Sequence, residues 1–267
     1  MSGPGWQVLI EAAKAYEGLF VPALFAQWAP KVADGARVQP GQRVLDVACG
    51  TGILARTAAG RLEPTGQVVG IDPNPGMIAL ARQLAPAVEW REGRAEELPF
   101  ADQSFDAVVS QFGLMFFTDR RQALREMHRV LKPGGHMVVA VWDSLDNNPA
   151  YSAAVGLLER TAGRPAADAL RAPFVLGDRK DLAQLFADAG VASADITTHN
   201  GSAQFPSIRV MMEADLRGWL PVMGVILTED QISSIVKDAE QTLRPWAAAD
   251  GGVTFPLSAH LVTARKR

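Results

Sequence analysis

The 267-residue chain has a single cysteine, Cys49. No intramolecular disulfide can form and no cysteine zinc cluster can be built, which fits a reducing compartment. Histidine is nearly as scarce: four are present, with no metal-ligand spacing among them. An excess of one charge is also lacking. The 26 basic and 29 acidic residues leave a net charge of −3, and the one basic run is Arg265-Lys266-Arg267. The positive stripe of a nucleic-acid binder is missing, so no nucleic-acid partner is expected. The longest apolar candidate, Val222 to Leu227, lies between Pro221 and Thr228 and is far too short to span a bilayer. Met1-Ser2-Gly3-Pro4-Gly5 lacks the charged-then-apolar layout of a signal peptide. No G-x-S-x-G nucleophile motif occurs, and no internal repeat. A cytoplasmic monomer or homodimer is expected.

What is present is ordinary globular material, 48% apolar and 21% charged, long enough for one large α/β domain with insertions. Trp6, Leu9, Ile10, Ala13, Tyr16, Glu17 and Phe20 recur at near-helical spacing and predict a helical segment over 6–33, broken by Pro22 and Pro30. From Arg43 the pattern changes. Short apolar runs at 44–47, 68–71, 88–90, 105–110 and 136–142 predict strands, with helical stretches between them. Asn74 reads as an N-cap with Pro75 at the first helical position, and Asp119 as the cap of the helix carrying Leu124, Met127 and Leu131. Later elements are predicted as a helix over 149–170, a helix from Asp178 to Ala189, a sixth strand from Ala192 to Thr198, a helix from Ser207 to Leu220, a helix opened by the Thr228/Gln231 capping box, and a last strand from Leu257 to Arg265. Strands alternating with helices argue a doubly wound, mostly parallel sheet with helices on both faces.

The informative segment is Asp46-Val47-Ala48-Cys49-Gly50-Thr51-Gly52-Ile53-Leu54-Ala55, where the first strand turns into a helix. Ligands of open α/β sheets bind beyond the carboxyl ends of the strands, and Gly50 and Gly52 allow a tight turn and close approach. Asp72 follows at the end of the next strand, twenty residues after Gly52, where a carboxylate can accept from both hydroxyls of a ribose. The glycines alone satisfy a dinucleotide fingerprint as well, so an NAD(P)-dependent oxidoreductase stands as an alternative. Asp46 bears on the choice. An anionic pyrophosphate wants the helix N-terminus free of carboxylates, whereas S-adenosylmethionine (SAM) carries a sulfonium and an ammonium against one carboxylate. At ~4 Å and an effective dielectric of ~20, one such pair is worth about 4 kcal/mol before desolvation.

Val44-Leu45-Asp46-Val47-Ala48-Cys49-Gly50-Thr51-Gly52 resembles motif I of the class I SAM-dependent methyltransferases, in the branch that includes the ubiquinone/menaquinone C-methyltransferases. The resemblance runs from Tyr16 to Trp142. It takes in Val69-Gly70-Ile71-Asp72 with Pro73 to Met77, Gly93 to Phe100, Ser104 to Val109, and Arg129-Val130-Leu131-Lys132-Pro133-Gly134-Gly135. It implies a seven-strand Rossmann-like α/β fold: an N-terminal helical cap over 1–40, a SAM-binding core over 41–148, and remaining core elements over 149–267 with helical lids at about 149–173 and 206–247. It also implies roles. Ala48, Gly50, Thr51 and Gly52 line the methionine portion of SAM, and Asp46 orders that loop or reaches the amino group through water. Asp72 takes the ribose diol; Pro73 and Met77 flank the adenine; Ala95 and Glu96 edge it. Gln111 and Phe112 approach the sulfonium, and Tyr16 reaches the carboxylate of SAM. One position departs from the pattern: Arg94 stands where many relatives carry an aspartate, and arginine has no acceptor for the adenine amine.

Methyl transfer to a small O, N or C nucleophile, giving S-adenosylhomocysteine (SAH), relies on positioning and needs a general base only when the nucleophile must lose a proton. His199, beside the sixth strand, and Asp143, after the fifth, are the candidates, with Asp143 read alternatively as a cap. His128 and His136 read as structural, and His260, inside the last strand, as ordinary. Trp142, Phe116 and Trp219 are candidates for the substrate pocket, with core packing as the alternative. A SAM-binding module without catalysis is a further alternative. No metal site is expected.

Overall fold

The short apolar runs pair into one seven-strand sheet in the order β3-β2-β1-β4-β5-β7-β6. The strands are β1 (Arg43–Val47), β2 (Gln67–Asp72), β3 (Glu89–Glu92), β4 (Phe105–Gln111), β5 (Leu131–Trp142), β6 (Asp195–Phe205) and β7 (Val253–Arg265). This computed structural model describes residues 10–191 and 193–267. The helical expectation for Trp6 and Leu9, the reading of Met1–Gly5, and Ala192 as a strand start lie outside them. β1 to β5 pair in parallel, and β7 runs antiparallel between β5 and β6. The central strands are buried on both faces, Val44, Leu45, Val108 and Val109 all being inaccessible, because helices cover the sheet on both sides.

In chain order the helices are α1 (Ile10–Ala15), α2 (Ala29–Gly35), α3 (Ile53–Leu62), α4 (Pro75–Leu84), α5 (Arg120–Val130), α6 (Pro149–Ala162), α7 (Arg164–Arg171), α8 (Arg179–Asp188), α9 (Ile208–Ala214), α10 (Leu220–Val222) and α11 (Glu229–Thr242). Their starts follow the side chains present. Asn74 accepts from the Gly76 and Met77 N–H groups, Asp119 from Gln122, and Ser207 from Val210; Thr228 and Gln231 form the reciprocal capping box.

Five expectations need correction. Leu131, expected on the helix capped by Asp119, opens β5, which begins five residues before the expected 136. The N-terminal helix is not one element: α1 runs into a π-helical segment, Tyr16–Phe25, that contains Pro22, and Pro30 lies in the first turn of α2. Gly163, at φ +83°, splits the helix expected over 149–170. The helix from Ser207 stops being α-helical at Ala214 and continues as a second π-helical turn, Asp215–Trp219. β6 extends seven residues beyond Thr198, to Phe205.

As the outer strand, β6 leaves one edge to side chains. The Gln27 amide donates to the Ser202 carbonyl at 2.5 Å and accepts from the Ser202 N–H at 3.0 Å, while Arg179 donates to the Ile196 carbonyl at 2.7 Å.

Candidate active site

The order in which the chain adds strands reverses between β1 and β4, and a crevice opens there past the strand ends. A cavity of about 1170 Å³ occupies it. Its floor is the loops after β1, β2, β3 and β4. One wall is the N-terminal π-helical segment, and the roof is the C-terminal end of α9 with the π-helical turn that follows. Tyr16, Asp46, Ala48, Gly50, Thr51, Asp72, Pro73, Met77, Ala95, Glu96, Gln111, Phe112, Phe116 and Trp219 all line it.

The loop after β1 is built from left-handed backbone. Ala48 has φ +57° and Gly50 φ +55°, and a Cβ at Gly50 would meet nothing within 4 Å, so this turn faces open space. The loop after β4 can approach it because residue 113 is glycine: a Cβ there would lie 2.6 Å from that of Ala48. Gly52 does not line the cavity. Its φ is +89°, and a Cβ would fall 2.2 Å from the Trp90 ring, so this second glycine of the motif gives Trp90 its berth.

Two carboxylates dominate the polar end. Asp72 accepts from the Gly50 N–H at 2.9 Å and the Asn74 N–H at 2.8 Å, bracing the first two loops. Burial still pushes its pKa up to about 6, because those two bonds offset only part of the desolvation. Asp46 is 1% exposed, and neither of its oxygens has a hydrogen-bond partner. Burial raises its pKa well above the ordinary carboxylate value, with Asp72 adding to the rise; the Ala55 N–H and the charge of Arg56 pull the other way, the former without reaching bonding geometry. Tyr16 is held protonated by burial and by the charges of Asp72 and Glu17. Glu96 accepts from the Thr118 N–H at 2.8 Å and the Asp119 N–H at 3.4 Å and faces Arg94 at 3.5 Å, so its carboxylate secures the entry to α5.

The other end is aromatic: Phe20, Phe25, Phe112, Phe116 and Trp219 contribute, with Leu19 and Val222. Tyr16 stacks on Phe25 with centroids 5.4 Å apart, and Phe116 lies 5.2 Å from Trp219. Trp142 is not on the cavity. It stacks behind Phe112 at 3.7 Å and supports that ring, whose residue has φ +57°.

Neither candidate base reaches the cavity. His199 lies within β6 opposite Ala259, its Nε2 2.9 Å from the Thr197 hydroxyl, because the strand continues past it. Asp143 is turned toward β7. It accepts from the Ser144 N–H, the Asn147 amide and the Ser258 hydroxyl, and lies 3.2 Å from His260 Nε2. His260, read as ordinary, is a buried part of this network and also bonds the Gly177 carbonyl and the Thr198 hydroxyl. No His or Lys is among the lining residues. No group of three or more His, Cys, Asp or Glu among the described residues is placed to hold a metal, and no helix among them is long and apolar enough to cross a membrane. Leu19, Phe20 and Phe25 also line the cavity, as do Glu213 and Arg217 at the roof; the sequence singles out none of them as site residues, and the near-helical spacing of Phe20 is the one signal it offers.

A family described as "Methyltransferase domain" matches residues 45–139. A demethylmenaquinone methyltransferase of Renibacterium salmoninarum is 36% identical over 185 residues, which is 66% of this chain and 77% of that protein. The chain belongs to the class I SAM-dependent methyltransferases, in their ubiquinone/menaquinone-type branch. In Ectopseudomonas mendocina, the ubiquinone/menaquinone biosynthesis C-methyltransferase UbiE is 46% identical over 108 residues, 38% of this chain and 42% of the relative. The same fold occurs in a putative methyltransferase from an antibiotic biosynthesis pathway of Anabaena variabilis, with TM-score 0.63 and 16% identity, covering 88% of this chain and 96% of that one. As a member of that family, this methyltransferase is an enzyme that uses SAM as methyl donor and acts on a small molecule. The oxidoreductase alternative drawn from the same glycines falls with that membership.

Proposed function

We propose that this methyltransferase transfers its methyl group to a carbon or oxygen of an electron-rich ring, of the reduced-quinone kind, on an otherwise apolar molecule. The observation that carries the reading is a single cavity with two chemistries, acidic at Asp46 and Asp72 and aromatic at Phe20, Phe25, Phe116 and Trp219. At about 1170 Å³ it exceeds the ~300–1,000 Å³ typical of a pocket for one small ligand, leaving room for donor and acceptor together. The names of the relatives, which act on demethylmenaquinone or in ubiquinone and menaquinone biosynthesis, support the same acceptor class.

SAM fits the polar end, since an unpartnered, buried carboxylate is what a cationic ligand compensates. In this reading Asp46 answers the positive charge of the methionine portion, directly or through water. Gly50 and Thr51 present backbone to it, Tyr16 donates to its carboxylate, and Asp72 accepts from the ribose hydroxyls. Pro73, Met77 and Ala95 enclose the adenine. Bound there, SAM supplies a methyl group already activated on sulfur. The residues then contribute by orientation: Gln111 and Phe112 fix the donor end, and the aromatic wall holds the ring in line. SAM held there would supply the methyl carbon to the acceptor atom and leave as SAH. An ionised ring hydroxyl provides the electron push, and the displaced proton passes to water. The reading includes the boundaries given above, with 149–173 and 206–247 as lids, and a cytoplasmic monomer or homodimer with no nucleic-acid partner, consistent with the net charge of −3.

The test offers radiolabelled SAM with a short-chain demethylnaphthoquinol, a catechol and a primary amine. Label is expected in the naphthoquinol at least tenfold faster than in the other two; label in the amine alone, or none in any ring acceptor while SAM binds, overturns the acceptor class. For the donor site, Asp72→Ala is expected to weaken SAM binding about a hundredfold by calorimetry, as two charge-assisted hydrogen bonds are lost. A change below threefold would remove Asp72 from the site.

A further inference from the structure

The N-terminal wall of the cavity is tied to the rest of the protein mainly by packing. Outside its own backbone, the described residues Ile10–Phe25 make two polar links to the core. Arg56 of α3 donates to Glu17 at 2.6 Å with one nitrogen and to the Thr51 carbonyl at 2.6 Å with another; the Glu17 and Arg56 side chains are only 21% and 22% exposed. Gln111, at the end of β4, donates to the Phe25 carbonyl at 3.2 Å. Both links originate on the cofactor side. Thr51 and Gln111 line the polar end, and Arg56 is the cation whose charge bears on Asp46. Each link also retains a buried oxygen with no partner, Glu17 Oε2 and Gln111 Oε1, so the closed arrangement is not fully satisfied by itself.

We propose that Arg56 and Glu17 form a latch that makes the acceptor pocket conditional on the cofactor. Ala12, Ala15 and Tyr16 of the wall line the cavity together with Gly50, Thr51 and Met77 of the floor. A ligand between them therefore gains contacts in the closed arrangement that it lacks in an open one, and it shifts the wall toward closure by that difference. Closure also places Leu19, Phe20 and Phe25, which make the acceptor side. Arg56 holds the Thr51 carbonyl with one arm and the wall with the other, so ordering the loop after β1 and docking the wall are one event. Occupancy of the donor end then raises affinity at the acceptor end, and the reverse holds to the same degree. Arg56 and Glu17 are positioning residues in this scheme: neither lines the cavity, and each acts through what it holds. The inference rests on the placement of SAM at the polar end.

The experiment follows amide hydrogen exchange over 10–25 in the full chain with and without SAH, in wild type, Arg56→Gln, Arg56→Lys and Glu17→Gln. Affinity for 2-methyl-1,4-naphthoquinone is measured in the same conditions. In wild type, SAH is expected to slow exchange over 10–25 at least tenfold and to tighten quinone binding about tenfold. In Glu17→Gln, SAH is expected to bind within about fivefold of wild type while both effects largely vanish; in Arg56→Gln both effects are expected to vanish as well, and Arg56→Lys is expected to restore part of each. Equal protection of 10–25 in the two Gln variants, or no protection in wild type despite SAH binding, overturns the latch alone. No SAH binding to wild type overturns the cofactor placement as well.

Discussion

Gly52→Ala is expected to lower the unfolding free energy by about 3 kcal/mol or more, adding the cost of a side chain in the left-handed region to that of an overpacked core. The methyl carbon would sit 2.2 Å from one Trp90 carbon and 2.9 Å from the next. The ring cannot move aside cheaply. Its Nε1 donates to the Ala85 carbonyl at 2.9 Å, Arg82 donates to the Trp90 carbonyl at 3.1 Å, and Gly70 also packs against the ring, where a Cβ would approach to 2.4 Å. Since Gly52 is the N-cap of α3, the same change is expected to disturb the loop after β1 and to abolish measurable SAH binding. Chemical denaturation gives the stability. Combination with Trp90→Leu isolates the cause: the double variant should recover at least 1 kcal/mol relative to additive losses. A loss under 1 kcal/mol with normal SAH binding would mean that the loop tolerates a side chain there.

Asp215→Asn is expected to remove much of the fall in stability between pH ~4 and ~8. Asp215 opens the π-helical turn over the cavity; it is 3% exposed, and its Oδ2 has no partner. Burial raises its pKa from the ordinary 3.8 to about 8. Below pH ~4 both folded and unfolded chains hold the proton, and nothing is lost. As the pH rises the unfolded chain releases its proton first, so stability falls until the pH passes about 8 and then levels off. Between pH ~5 and ~8 the stability difference between variant and wild type should therefore move by about 4 kcal/mol in favour of the variant. Asp72 and Asp46 impose slopes of the same sign in both proteins, and the difference curve removes them. A difference that stays constant across this range would show that Asp215 is solvated or paired in solution.

The legible parts of this fold were those where a local rule and the tertiary structure agree. Asn74 with Pro75, Asp119, and Thr228 with Gln231 each cap the helix they announce. The valine-rich run of β4 is buried on both faces, as its composition suggests. β6 was cut short because Asn200, Gly201, Ser202 and Gln204 carry little strand signal; they belong to a strand whose partner β7 supplies the order. That shortening is what put His199 at a strand end instead of its interior. Asp72, Ala48 and Gly50 were legible as cavity residues because motif spacing fixes them to the ends of β1 and β2. The role of Gly52 was not, since it depends on a tryptophan from β3. The wall from Leu19 to Phe25 was hidden by its π-helical course, which the near-helical spacing of its apolar residues does not distinguish from an ordinary buried helix.

The Gln27 amide on β6 has a consequence for the protein in concentrated solution. An eleven-residue border strand is a template on which a foreign backbone can grow, and such growth needs consecutive free peptide groups. Gln27 takes both groups of Ser202 near the middle of that border, and Arg179 takes the carbonyl of Ile196 toward one end. Gly201 is what allows so close a seat, since a Cβ there would come within 2.5 Å of the Gln27 oxygen and 2.8 Å of the Trp28 ring. An invading strand is thus interrupted before it can establish register, and the sheet ends without a charged residue at its centre to repel one.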